Sequence, residues 1–153
     1  MATLTLRPNA AGDETNLTPI PGSGEANWQD VDEVTSDEDT TYVKVNNTSK
    51  RDLYGLPDHT TEGGVINFVK ATARCRLTVN TGSVRPAVKT EGTVYEGTEQ
   101  SLTASHVNYS HQWDTNPNTG IAWTWSQIDA LQAGIWLKHT GTTGRSQCTQ
   151  VYI

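Results

Sequence analysis

The segment "VINFVKATARCRLTVN", Val65 to Asn80, decides the fold. Its odd positions Val65, Val69, Ala71, Ala73, Cys75, Leu77 and Val79 are apolar, with Asn67 the exception. Its even positions Lys70, Thr72, Arg74, Arg76 and Thr78 are polar. A period of two is the signature of a strand with one face on a core and one face toward water.

The flanking chain repeats this pattern in shorter pieces. "TTYVKVN" alternates around Tyr42, Val43 and Val45, and "RDLYGLP" is a short strand closed by Gly55 and Pro57. "VRPAVKTEGTVYEG" reads as a strand interrupted near Gly92. "SLTASHVNYSHQWDTN", "GIWLKHTGTTG" and "SQCTQVYI" follow as further strand segments. At the other end, "ATLTL" (Ala2 to Leu6) carries Leu4 and Leu6 on one face before Arg7-Pro8 stops it. Residues 9–27 are rich in Gly, Pro, Asn and Ser and read as a long surface loop. "NWQDVDEV" offers Trp28, Val31 and Val34 as apolar positions. Roughly eight to ten short strands separated by turn residues predict an all-β chain. The expected architecture is a single antiparallel β-sandwich, jelly-roll or concanavalin-like. The expected organisation is an N-terminal strand and loop over 1–27, a candidate inter-subunit arm, and a sandwich domain over 28–153. A plainer reading of "ATLTL", pairing within its own sandwich, stands beside the arm.

One segment breaks the rule. "NPNTGIAWTWSQIDALQAGIWL" (Asn116 to Leu137) places Thr124 as N-cap with Gln127 three residues on, the spacing of a capping box. Trp125, Ile128 and Leu131 share one face. A short helix near 124–132 is expected, with Gly134 as its stop. So short a helix does not hold alone in water. It must dock on something apolar, most simply an open end of the sandwich.

Composition excludes several functions. The 153 residues suit one domain. Net charge is -6 and no basic cluster exceeds a pair, so nucleic-acid binding is not expected. No apolar run has the length of a signal h-region or a bilayer span, so neither a signal peptide nor a membrane segment is expected. The two cysteines, Cys75 and Cys148, lie in strand-like segments. They pair in a disulfide only if those strands are neighbours; otherwise they are small buried hydrophobes.

A catalytic constellation is not evident. The chain lacks G-x-S-x-G, P-loop, H-E-x-x-H and C-x-x-C motifs. His106 and His111 are five apart, fall on opposite faces of a strand and read as surface residues. No cofactor is expected. The acidic run "DVDEVTSDEDT" reads as a solvated turn, with Asp37, Glu38 and Asp39 as candidate calcium ligands. There are five tryptophans and one phenylalanine. In a leucine-poor sandwich Trp28, Trp113 and Trp136 are needed in the core. Trp123 and Trp125 remain open between core and glycan contact.

Five stretches together are recognisable: "LRPNAAGDETN", "WQDVDEVTSDEDTTYV", "RDLYGLP", "KTEGTVYEGTE" and "NPNTGIAWTWSQIDALQAGIWL…CTQVYI". They resemble a family of small proteins encoded among the structural genes of tailed phages and related viruses of prokaryotes. The resemblance spans almost the whole chain and brings no catalytic residues with it. It implies a non-enzymatic β-sandwich on the virion, as capsid decoration or tail-associated. The implied partners are copies of itself and other virion proteins, and the implied location is the virion, assembled in the host cytoplasm. Two further readings remain. One is a lectin-like module for surface glycans or a receptor; the other is a subunit of an extracellular filament.

Overall fold

A computed structural model describes residues 2–20 and 25–153. Among these residues the chain forms eleven strands, one α-helix and one 3-10 turn. One sheet joins β1 (Ala10–Thr15), β4 (Thr48–Gly55), β10 (Gln132–Thr140), β6 (Thr81–Thr90) and β7 (Thr93–Glu96) in that order, with β8 (Gln100–Ser101) also on β6. The other joins β2 (Thr18–Pro19), β3 (Val43–Val45), β11 (Ser146–Tyr152), β5 (Val69–Leu77) and β9 (Val107–Trp113). Every pairing is antiparallel. Consecutive strands β3 and β4, β5 and β6, and β10 and β11 fall in opposite sheets. That is jelly-roll wiring, and the molecule is an all-β sandwich.

The decisive segment behaves as its alternation requires. In β5 the odd residues Val69, Ala71, Ala73, Cys75 and Leu77 are buried in the core. Across the sandwich they meet Ala133, Ile135 and Leu137 of β10 and Val84 and Val88 of β6. The strand is shorter at both ends than its apolar pattern, and Val65 and Val79 are exposed. Pro86 sits inside the central strand β6 without breaking it. Its carbonyl accepts Gly97 N–H, so its nitrogen faces the gap between β7 and β8, where no ladder donor is required. The interruption near Gly92 is the turn of the β6–β7 hairpin. Glu91 and Gly92 both take positive φ, 50° and 82°, as a type I′ turn demands.

The N-terminal region departs from expectation. "ATLTL" is not a strand; only Leu6 pairs, exchanging both backbone bonds with Ile153. The supposed loop 9–27 instead supplies β1 and β2. Both are polar edge strands, so no apolar alternation announces them. The link between them, Asn16 and Leu17, is held by Asp52, which is fully buried. Its Oδ1 accepts the N–H of Asn16 (2.5 Å) and of Leu17 (2.7 Å), and its Oδ2 accepts Asn27 Nδ2 (2.6 Å). The described part of the candidate arm is thus bound into its own sandwich. Met1 and residues 21–24 of that arm lie outside the described residues. The division at 27/28 falls inside the 3-10 turn Asn27–Asp30, which replaces the strand suggested by "NWQDVDEV". Gly134 does not stop the helix but lies within β10, where a Cβ would meet Asp52 O at 2.0 Å. Glycine there permits the close approach of β10 to β4.

Trp136 also lies elsewhere than the core. It stands on the outer face of its sheet, level with Arg51 and Arg85 on the strands to either side. The Arg85 guanidinium covers its ring at 4.3 Å. Glu14, Glu96 and Glu99 neutralise the two arginines at 2.6–2.8 Å. Trp28 and Trp113 are half-buried at the edge of the core. No described helix is long and apolar enough to cross a membrane.

Candidate functional site

The helix α1 (Trp125–Asp129) forms where the capping box places it. Thr124 Oγ1 accepts Gln127 N–H at 3.3 Å, and Gln127 Oε1 accepts Thr124 N–H at 3.1 Å. Ile128 and the following Leu131 are buried and join the helix to the core. Trp123 is only 4% exposed, and its indole N–H donates to Trp113 O at 3.1 Å. It is a core residue, and its ring is not offered to a glycan. Trp125 is half-buried. Its indole N–H donates to Gly64 O at 3.0 Å, and the His59 ring stacks on it at 4.8 Å. His59 Nδ1 in turn lies 2.7 Å from Asp129 Oδ1, which also accepts His59 N–H. These hydrogen bonds hold the Asp129 carboxyl below its usual range. The helix is therefore clamped to the long β4–β5 connection.

Beside this clamp opens a groove of about 820 Å³. One wall is residues 2–6 and the other is residues 65–70. Glu62, Gly63, Thr72, Trp125, Ile128, Tyr152 and Ile153 also line it. Phe68 (38% exposed) and Val65 (81%) leave a large apolar area facing water at its rim. Sequence reasoning named Trp125 but missed the groove. Its walls are two segments distant in sequence; residues 2–6 lie outside any strand, and residues 65–70 enter β5 only at Val69. The apolar run Val65 to Phe68, outside the ordered strand, was the available signal.

The acidic run is not a solvated turn. It folds over the outer face of β11, whose outward residues Gln147, Thr149 and Gln150 are consequently buried. Val151 N–H donates to Val31 O (2.9 Å), and Gln150 Nε2 to Glu33 O (2.5 Å). Of the three candidate calcium ligands, Asp37 accepts Thr149 Oγ1 (3.1 Å) and Thr41 Oγ1 (2.8 Å). Glu38 binds Arg74 (2.6 Å), with His106 Nδ1 at 2.7 Å from its other oxygen. Asp39 accepts Gln147 Nε2 (2.6 Å) and lies 3.3 Å from Arg76. The three carboxylates thus point to separate protein partners. Among the described residues no group of three or more His, Cys, Asp or Glu side chains is arranged to hold a metal ion. His106, expected at the surface, is tucked beneath this lid, and burial lowers its pKa.

Two carboxyls of the lid are held by burial in an unusual state. Asp30 is fully buried, and its pKa is pushed up to about 6. The charges of Glu25, Asp37 and Asp32 add to that rise, and the Ile20 N–H opposes it. Burial pushes Glu33 up to about 7. Thr41 Oγ1 lies within hydrogen-bond reach of both Glu33 Oε1 and Asp37 Oδ2. A hydroxyl carries one hydrogen, so both bonds form together only when one of the two carboxyls is protonated and donates, and the raised pKa of Glu33 makes it that donor.

Cys75 and Cys148 are direct cross-strand neighbours, both fully buried, and both are free thiols. Burial raises the Cys75 thiol well above its ordinary value, which leaves it inert at neutral pH.

No protein-family model matches the chain, and no curated protein does. Among solved structures, the chain is similar to the CBM22-1 xylan-binding domain of Xyn10C from Paenibacillus barcinonensis. Identity is 10% and the TM-score 0.43, over 97% of this chain and 90% of that one. At that likeness nothing about a ligand transfers.

Proposed function

We propose that the chain is a non-enzymatic structural subunit of a virion, as decoration or tail-associated protein, that works by binding copies of itself and other particle proteins. The observation that supports this is the open groove with Val65 and Phe68 at its rim. An exposed apolar patch within a polar surface is characteristic of a protein–protein contact. The phage-like sequence stretches supply the setting. Mass spectrometry of purified particles should find the chain in many copies, and its absence from them would sink the proposal. A micrograph of the native assembly separates a capsid or tail lattice from an extracellular filament.

One observation favours a second reading, glycan binding. Trp125 lines the same groove, alongside hydroxyl-bearing Thr3, Thr5 and Thr72. Sugar rings stack on aromatic faces while hydroxyls bond to such polar groups. A glycan array combined with tryptophan-fluorescence titration tests it. Binding that disappears in Trp125→Ala but survives in Trp136→Ala supports the glycan reading; a silent array removes it.

A further inference from the structure

The acidic lid is fastened differently from the rest of the chain. Buried residues anchor it at both ends, Val31 and Tyr42. Between them, among the described residues, the one backbone–backbone hydrogen bond runs from Thr40 N–H to Asp37 O (3.2 Å), inside the lid itself. Every bond from residues 32–41 to β11 involves a side chain, that of Gln147, Thr149 or Gln150. At the lid's tip Glu38 takes a positive φ of 61°, a conformation that non-glycine residues rarely adopt. The surface beneath is polar. Lifting the lid hands two amides and a hydroxyl to water and uncovers no apolar core residue. A segment held in this way belongs to the part of a fold that opens first.

The bonds that close it are short of hydrogens. Thr41 Oγ1 faces Glu33 Oε1 and Asp37 Oδ2. Thr149 Oγ1 faces Asp37 Oδ1 (3.1 Å) and Thr41 O (2.9 Å). Each hydroxyl thus stands between two acceptors with one hydrogen to give. Glu33 Oε2 is buried with no hydrogen-bond partner among the described residues. A proton on Glu33 completes the chain: Glu33 donates to Thr41 Oγ1, and that hydroxyl donates to Asp37. Without it, two carboxylates face each other across one hydroxyl. The surrounding charges do not relieve them. Asp32 and Asp37 add negative charge beside Glu33. Arg7 reaches only the carbonyls of Glu33 and Val34. Arg74 and Arg76 of β5 pair with Glu38 and Asp39, and His106 lies against Glu38. Lys44 of β3 stands level with Gln147, whose Oε1 accepts Arg145 Nε. The Glu38 and Asp39 pairs at the tip are open to water, where such pairs contribute little.

We propose that residues 32–41 are a proton-latched cover, shut on β11 while the Glu33–Thr41–Asp37 cluster keeps its extra hydrogen and lifting between Val31 and Tyr42 when that hydrogen is lost. Opening uncovers Gln147, Thr149 and Gln150 and takes Glu38 and Asp39 away from Arg74 and Arg76. The face that is acidic when shut becomes cationic when open. The sign follows from the burial that raises Glu33 to about 7. The shut state holds a proton that the open state has released, so closure is favoured at low pH and lost as pH rises through about 7. His106, held low by burial, acts the other way as pH falls. Asp30 precedes the Val31 anchor and stays buried in both states, so its proton does not distinguish them.

The test is solvent exchange followed by NMR on the whole chain, parent against Glu33→Gln. The glutamine amide donates to Thr41 at every pH and so keeps the latch shut. The probes are the side-chain amide protons of Gln147 and Gln150, with the Thr40 N–H. The parent-to-variant ratio of their exchange rates cancels base catalysis and His106 alike. It should rise tenfold or more between about pH 6.5 and 8.5, while interior amides of β5 and β10 keep their protection in both proteins. A constant ratio overturns the latch. Loosening of β10 in step with the lid overturns it too, because the event is then unfolding of the whole sandwich. Thr149→Val keeps the shape of the contact but removes the hydroxyl that meets Asp37 and Thr41. Exchange at Gln150 should quicken in that variant at every pH in the range. Unchanged exchange would show that side chains of β11 do not fasten the cover, and the proposal would fall.

Discussion

At the scale of single residues, the burden falls on a few buried polar groups. Asp52 closes the N–H groups of Asn16 and Leu17 and the Asn27 amide at one point. Asp52→Ala strands those donors inside the protein, which costs about 3 kcal/mol or more. Urea unfolding should show that loss, with hydrogen exchange rising first in residues 10–19. Glu33 makes a different prediction. Its folded pKa, about 7, lies above the ordinary carboxylate range, and Asp30 follows at about 6. The folded state thus holds protons that the unfolded chain has released. This contribution is complete below roughly pH 4 and is lost as pH rises through 6 and 7. The depressed pKa of His106 acts with the opposite sign near neutrality. Comparison of parent with Glu33→Gln cancels that and every other group. Stability of the parent should fall relative to the variant between about pH 5 and 7.5. Parallel pH profiles of the urea midpoint would show that Glu33 is not the proton holder.

At the scale of elements, α1 separates capping from packing. Thr124→Ala removes one side-chain cap and should cost about 1 kcal/mol. Ile128→Ala opens space beneath the helix and should cost roughly 2–4 kcal/mol. Equal losses in calorimetry would mean that the helix is held by its cap and not by its docking. This helix was legible because Thr124, Gln127 and Ile128 stand at spacings that mean little else. Strand β5 was legible because its two faces meet different media. β1 was not legible, since an edge strand of Ala, Gly, Asp, Glu and Thr carries no contrast between faces; what makes it a strand is its pairing with β4, far along the chain, and Asp52 of that strand fixes the residues that follow it. The acidic lid was misread for the same reason. Carboxylates in sequence suggest solvent or a cation, and only the fold reveals that Thr149, Gln147 and Arg74 meet them. Trp136, expected in the core, stands outside it, because an arginine on each side makes the outer face a suitable environment for an indole; Trp123, left open between core and glycan contact, is buried.

At the scale of the whole molecule, both sheets place late strands at their centres. β10 joins β4 to β6, and β11 joins β3 to β5. A chain stopped after Leu131 should therefore show neither the tryptophan environment nor the cooperative melting of the full chain, although it retains most of the strand-forming residues. A folded truncate in circular dichroism would contradict the dependence. The order of synthesis follows from this wiring. At about 5–20 residues per second, the earlier strands leave the ribosome seconds before the two that bridge them. Neither half-sheet can close in that interval, and their main-chain edges wait unpaired. The acidic residues and the single proline within β6 are then the nascent chain's protection against pairing with another nascent copy.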